Sequence, residues 1–468
     1  MNARTSRFLL AGLVAPLLLA ACHSVVGPAY EAPEAVVPET WHTADEIAII
    51  SDPPEDAEWW DALSDPLLDV LIERAFKEGL DLREAYARLR EARALRGIAA
   101  ADRWPSIEAG ASYWRSDDSD RTALGDTGGE SDFHSATLDA SWEIDLWGRV
   151  RRAVEASDAE LAATTEDVRL VALSLAAETA ATYVDLRAFQ HRVALAERNV
   201  GLQRQTLQLV RARFEAGLVS ERDVAQAATN VQVTLSRLPA LQIGLRAAEN
   251  RLSVLLGVAP GSLAAELAAV QPIPVPPVQA AVGTPADIVR KRPDVRAAER
   301  RLAAEQARIG VARADLLPRL TLGGSLGVAS EDASDLFDNG SGLFGFGPSI
   351  RWTLFDGGRL RRRVDVQDAR AEQALIRWER AVLLALEESE NAMTGFVRGQ
   401  VRRSALLEAA HQARRAVELA RFEYEAGQSD FQVVLDSERA LAQLEDELAQ
   451  ADSLIAIQYI ALHKALGS

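Results

Sequence analysis

The chain repeats itself. Sliding its 468 residues along themselves by 210 positions lays Trp142 on Trp352, Gly148 on Gly358, Arg149 on Arg359 and Arg151 on Arg361. The same shift holds much later, where Phe214-Glu215-Ala216-Gly217 falls on Tyr424-Glu425-Ala426-Gly427. Upstream the shift is 213, with Asp81 on Asp294, Ala85 on Ala298, Leu89 on Leu302, Pro105 on Pro318 and Gly110 on Gly323. Two registers in this order, separated by a slip between about 112 and 142, mark a tandem duplication far longer than a solenoid unit. Whatever the fold is, it is built from two versions of one plan, expected over 55–256 and 285–468.

Each copy contains two stretches of period two. Residues 135–146 alternate strictly, with Ala136, Leu138, Ala140, Trp142, Ile144 and Leu146 on one face and Ser135, Thr137, Asp139, Ser141, Glu143 and Asp145 on the other. Soluble half-buried strands usually alternate over four to eight residues, whereas about ten is the length of a tilted strand crossing a bilayer, apolar toward lipid and polar toward a lumen. Its expected partner is 105–114, with Ile107, Ala109, Ala111 and Tyr113 on one face. The second copy repeats the scheme through Leu320, Leu322, Gly324, Leu326 and Val328, then Phe346, Pro348, Ile350, Trp352 and Leu354. Pro348 weakens the last strand because it cannot donate to a ladder. The connections 115–132 and 329–342 are rich in Asp, Ser and Gly and suit outward loops. Trp142, Trp147, Trp352 and Phe355 gather at the opposite strand ends, as interfacial or core-packing aromatics.

After each hairpin runs a proline-free stretch rich in Ala, Leu, Glu and Arg, from Arg149 to Phe214 and from Arg359 to Tyr424. These are strong helix formers, and each stretch would reach about 100 Å as one helix. Gly217 and Gly427 are placed as C-caps, and Ser220 and Asp430 as N-caps of return helices 221–256 and 431–466. A generic coiled coil would show the same helical signal. The Pro-rich stretch Gln271–Pro277, within an expected linker 257–284, reads as extended.

Four strands cannot close a barrel. Two chains would give a plugged eight-stranded cylinder, and three give twelve strands with room for a lumen. An open four-stranded sheet in lipid would leave edge amides unpaired at several kcal/mol each, so the pattern itself calls for oligomerisation.

The N-terminus carries Arg4 and Arg7, an apolar run from Phe8 to Ala21, then Leu19-Ala20-Ala21-Cys22 at its end. The run is short for a membrane span and resembles a bacterial lipoprotein signal over 1–21, with lipid expected on Cys22. The alternative is an ordinary signal peptide and a buried thiol. His23 stands where an Asp would retain such a lipoprotein in the inner membrane, and the Pro-rich 22–54 reads as an extended, lipid-anchored segment.

Taken together these features resemble the outer-membrane efflux proteins, the TolC-like channels, and specifically the NodT-type lipoproteins of tripartite drug pumps. The resemblance covers nearly the whole mature chain. It rests on Cys22 with Val26-Gly27-Pro28-Ala29-Tyr30, Trp59-Trp60 with Asp65-Pro66, and Arg290-Lys291-Arg292-Pro293-Asp294-Val295-Arg296. Asp145-Leu146-Trp147-Gly148-Arg149, Phe355-Asp356-Gly357-Gly358-Arg359 and the two helix turns add to it. It implies a mixed α+β membrane protein, a homotrimer with a twelve-stranded outer-membrane β-barrel continued by a long periplasmic α-helical barrel. It also implies a periplasmic adaptor and an inner-membrane RND-type pump as partners.

The resemblance assigns roles to a few residues. The turns carrying Phe214, Gly217, Leu218 and Ser220, and Tyr424, Gly427 and Ser429, would be the tunnel's far ends and meet the adaptor, although any helix turn needs a glycine. Val433-Val434-Leu435-Asp436 resembles the family's constriction segment, in which threefold symmetry would gather three Asp436 carboxylates and favour cations. A solvated surface Asp is the alternative. Gln432, one helical turn earlier, stands where relatives often carry an apolar residue, and Gln226 occupies the position of Asp436 in the first copy.

Composition excludes other classes. With 51 Lys+Arg against 69 Asp+Glu the net charge is −18, which disfavours a nucleic-acid partner. One Cys and six His form no metal spacing, and no Walker loop, nucleophile elbow or acid–base pair is present, so neither a cofactor nor an enzyme is expected. A type I protein-secretion channel of the same fold, and a lipid-anchored periplasmic adaptor, are the rival readings.

Overall fold

The computed structural model describes residues 25–43, 49–50, 58–117 and 130–467. Cys22, the signal segment and most of the first outer loop lie outside them. Regular elements, in chain order, begin with β1 (Ile49–Ile50), α1 (Pro66–Glu78), α2 (Leu80–Ala101), β2 (Ser106–Asp117), β3 (Glu130–Ile144) and α3 (Arg149–Glu215). They continue with α4 (Glu221–Leu255), β4 (Ala280–Ala281), α5 (Pro285–Lys291), α6 (Pro293–Ala314), β5 (Arg319–Ser330), β6 (Gly342–Arg351), α7 (Arg359–Glu425) and α8 (Phe431–Leu466).

The duplication is visible in these bounds. The helices α3 and α7 are both 67 residues long and displaced by 210, whereas α2 and α6, and likewise β2 and β5, are matched in length and displaced by 213. Two compact units cut across the copies: Met1–Pro33, Arg88–Thr165 and Ala297–Glu379 form one, Glu34–Ala87, Glu166–Arg296 and Arg380–Ser468 the other.

The first unit holds an antiparallel sheet in the order β2-β3-β5-β6. Each copy makes one hairpin, and the hairpins join through β3 and β5, with Leu138 opposite Leu326 and Trp142 opposite Leu322. The strands are shifted from the expected bounds. The strand β3 starts earlier and ends at Ile144, because the Asp145 carboxylate turns to accept from the Val150 and Arg151 amides and caps α3. Likewise β6 covers Gly342–Arg351, leaving Trp352 and Leu354 beyond it, while Asp356 accepts from the Gly358 and Leu360 amides ahead of α7. Gly148 and Gly358 have φ of +79° and +87°, the left-handed turn that the strand-to-helix passage requires. Pro348 sits on β6, an edge of the sheet, where a missing amide is tolerated.

Pairing in register puts alternate residues of all four strands on a common face. One face carries Ile107, Leu138, Leu322, Leu326, Phe344, Phe346 and Ile350, all largely exposed. The other carries Ser112, Ser135, Thr137, Asp139 and Ser325, with Ser112 and Ser135 hydroxyls 2.8 Å apart and Thr137 donating to Asp139 at 2.8 Å. At the strand bases Trp142 Nε1 donates to Arg103 O and Trp352 Nε1 to Leu316 O, both at 3.0 Å, so the duplication extends to single hydrogen bonds.

In the second unit α1 buries Leu68, Leu71, Ile72 and Ala75, a helical i, i+3, i+4, i+7 stripe. Its N-cap Asp65 accepts from Leu67 and Leu68 amides and from the Tyr183 hydroxyl. Pro293 opens α6, and the preceding Arg292 is nearly buried, reaching Asp294, Glu388 and Ala465 O. The Pro-rich stretch is extended and fixed to helices: Gln190 Nε2 donates to Leu267 O, Gln400 Nε2 to Val278 O, and β1 and β4 pair in parallel. Trp41, from the N-terminal segment, is buried and donates to Gly283 O at 2.9 Å.

Candidate functional site: the paired helix tips

The two helix turns are built alike, both in the second unit. At the end of α3 the Gly217 amide donates to Phe214 O and the Leu218 amide to Arg213 O, each 2.9 Å. At the end of α7 the Gly427 amide donates to Tyr424 O at 3.0 Å and the Gln428 amide to Glu423 O at 2.8 Å. Gly217 and Gly427 have φ of +73° and +72°, so both are Schellman caps that need glycine for backbone reasons alone. Nothing crowds a Cβ at either position. Ser220 is the N-cap of α4, with its amide and hydroxyl both donating to Asp223 Oδ2. Asp430 occupies the N-cap position of α8 without a side-chain capping bond, next to half-buried Ser429.

The tips differ in what they bury. Val210, Ala227, Ala420, Tyr424, Phe431, Val434 and Leu435 form one apolar cluster. Tyr424 is only 3% exposed; Phe214, its counterpart by the repeat, is 43% exposed and Leu218 72%. The aromatic residue that the second tip leaves outside is Phe422, at 69%. Arg213 explains the inward position of Tyr424. Its guanidinium lies 4.3 Å from the ring centroid and donates to Tyr424 O and Glu425 O, so a cation closes the C-terminus of α7.

One face of α8 looks outward. Gln432, Val433 and Asp436 are exposed, while Val434 and Leu435 pack inward. Gln432 Nε2 donates to Asp436 Oδ1 at 2.9 Å, which holds the carboxylate against the helix. This gives Gln432 a role that the sequence left open.

Behind that face lies a charged ladder. Buried Glu438 accepts from Arg421 at 2.8 Å and from the Thr206 hydroxyl at 2.9 Å. One heptad on, buried Glu445 accepts from Arg414 at 2.7 Å and Arg198 at 2.8 Å. The two glutamates, their three arginines and Gln203 line a cavity of about 270 Å³ between α3, α7 and α8. The ladder belongs to the second copy alone, since Ala228 and Leu235 replace the two glutamates in the first. The heptad spacing of Arg414 and Arg421 against Glu438 and Glu445 was present in the sequence, but only burial distinguishes it from surface charge.

Among the described residues no group of His, Cys, Asp and Glu is placed to hold a metal ion, and no helix is long and apolar enough to cross a membrane. The outward apolar sheet, the long helices and the paired tips find their match in known proteins. The profile of the outer membrane efflux proteins fits residues 71–258 and 285–468, once per copy. The chain belongs to the outer membrane efflux protein family. Among its relatives is Nodulation protein T of Rhizobium leguminosarum bv. trifolii, 32% identical over 97% of this chain and 95% of that one. The pyoverdine export outer membrane protein OpmQ of Pseudomonas aeruginosa is 32% identical over 96% of this chain and 94% of its own. Among solved structures the outer-membrane channel OprN superposes with a TM-score of 0.89 at 36% identity, covering 94% of this chain and 98% of that one. The protein is thus an outer-membrane efflux channel component and not an enzyme.

Proposed function

We propose that three copies of this chain close one twelve-stranded barrel and form a passive duct from the periplasm to the outside. The observation that carries this reading is the sheet. Its apolar face is exposed, its opposite face is polar, and its edges β2 and β6 are different strands running antiparallel to each other. The β6 edge of one copy can therefore pair with the β2 edge of the next, a head-to-tail contact that closes into a ring and removes every edge from lipid. Polar residues then line the lumen and Asp436 faces it from three sides.

The helix tips meet a periplasmic adaptor, which links the duct to an inner-membrane RND-type pump that supplies the energy. Exposed Phe214, Leu218 and Phe422 give that contact its apolar area, with Gly217, Gly427, Ser220 and Ser429 shaping the turns. The cargo is drugs or other small toxic compounds, in keeping with relatives named for exporting pyoverdine and toluene. Lipid on Cys22 anchors the chain at the foot of the barrel. The Val26 amide donates to Trp147 O at 3.0 Å, and Cys22 is at most about 14 Å of extended chain from Val26.

The test is the mass of the detergent-solubilised mature protein together with its conductance in a planar bilayer. A trimer with discrete ohmic steps is expected. A monomer or dimer, or a trimer that never conducts, overturns the reading.

A further inference from the structure

The duplication fixes contacts that a single chain cannot show. Its two shifts are exact for the strands. Moving β2 forward by 213 and β3 by 210 carries the pair Ser106–Ser141 onto Arg319–Arg351, and Arg115–Asp132 onto Val328–Gly342. Both are observed partners in β5 and β6. The same shifts act on the joint between the hairpins. Adding 210 to β3 and subtracting 213 from β5 turns that joint into one between β6 and β2. These strands lie at opposite edges of the sheet, so the new joint must link different copies. Thr137–Gly327 becomes Gly347 opposite Trp114 of the next copy. Ser141–Gly323 becomes Arg351 opposite Gly110, and Ile144–Leu320 becomes Leu354 opposite Ile107.

Both edges carry features that their own chain leaves unexplained. Neither Gly345 nor Gly347 has a positive φ, and a Cβ at either would meet nothing within 4 Å. Neither backbone nor packing within the chain therefore asks for glycine on β6. At the joint inside the chain the equivalent pair is already large on small, since a Cβ on Gly327 would lie 3.0 Å from Thr137 Cγ2. Between copies the sides are exchanged: Trp114, 68% exposed on the polar face, comes opposite Gly347. Aromatic cover of an edge glycine pins the register of a strand. The charges follow the same logic. On the polar face Glu108 stands opposite Asp139, and Arg351 opposite Arg319, like beside like, which is destabilising. Asp139 accepts from Thr137 and Arg319 reaches Asp315, whereas Glu108 and Arg351 make no ion pair among the described residues. The derived register puts Arg351 one diagonal step from Glu108 of the next copy, within reach of long side chains.

We propose that β6 of one copy pairs with β2 of a second copy in this register, with Trp114 seated over Gly347 and Arg351 paired with Glu108 across the seam. In the single chain β6 stops at Arg351. With a neighbour to bond to, it continues through Leu354, as the alternation of the sequence does. The proposal rests on the reading of the sheet as a shared barrel wall and adds the residues that set its seam.

The experiment is disulfide trapping in the full-length protein, with the wild type and its one cysteine, Cys22, as background. Ser112→Cys/Ser349→Cys sets two thiols directly opposite each other in the derived register. Ser116→Cys/Ser349→Cys displaces them by four residues, about 13 Å along a strand and beyond disulfide reach. Within one chain these positions lie on opposite edges of the sheet, so a bond between them joins copies. After mild oxidation, denaturing non-reducing gels should show linked dimers and trimers from the first pair at about ten times the yield of the second, or more. Gly347→Leu should lower the temperature at which the trimer dissociates, and adding Trp114→Gly should recover most of that loss. Losses that simply add overturn the contact of Trp114 with Gly347. A protein that is trimeric by mass but traps neither pair, or traps the displaced pair equally or better, overturns this register and leaves the barrel reading standing. A protein that is monomeric by mass overturns that reading, and the seam with it.

Discussion

In the proposed duct Asp436 is the residue assigned to the pore's selectivity. Its carboxylate is exposed, tied on one oxygen to Gln432 and positioned by Val434 and Leu435 in the tip cluster. Three such groups in a narrow throat concentrate negative potential. Asp436→Asn should lower the cation-over-anion permeability ratio in planar bilayers, most at low salt where screening is weak. An unchanged ratio would leave Asp436 as a surface carboxylate. The residues at this scale that sequence made readable are those whose backbone demands a type: Gly217 and Gly427 at positive φ and Ser220 at an N-cap. Asp145, expected on the polar face of a strand, instead caps α3. Tyr424 was readable as part of the tip, but its inward orientation follows from Arg213, which comes from the other copy.

At the scale of elements, α8 carries what α4 lacks. Glu438 and Glu445 fix the register of α8 against α3 and α7, because a slip would leave each buried carboxylate unpaired. Glu438→Gln keeps the shape and removes the charge. Its partner Arg421 is about one-third exposed and can be solvated, so the expected loss is modest, about 1–2 kcal/mol. Backbone amides of α7 and α8 near the tip should then exchange hydrogen roughly tenfold faster, with the strands unaffected. An exchange pattern identical to wild type would mean that apolar packing alone holds the register. The strands show the opposite balance. Alternation predicted them, yet their ends moved by several residues, since capping carboxylates and edge pairing decide where a strand stops.

For the whole molecule, acid is the condition that tests the buried imidazole of His463. His463 lies under Trp59, ring centroids 5.6 Å apart, and edge-on to Tyr459, and burial lowers its pKa to about 4. The unfolded chain, with an ordinary imidazole near 6.5, binds the proton first. The fold therefore has its full contribution from neutral His463 above about pH 6.5 and loses it as pH falls toward 4, by about 3 kcal/mol at most. His463→Phe should flatten the dependence of unfolding on pH across that window. A variant with the wild-type acid slope would assign the sensitivity to other groups. Trp59 reaches His463 from a distant part of the chain, so no local pattern announces that stack.

Taken alone, the sequence determined the duplication, the membrane-type alternation, the long helices and their glycine turns, because each depends on spacing or on the dihedral limits of single residues. The tertiary structure decided how β3 meets β5, what Arg292 staples, which carboxylates are buried and which side of Tyr424 faces inward. Those depend on which surfaces meet across hundreds of residues, where desolvation and packing set the energy and the linear order of residues carries no trace of it.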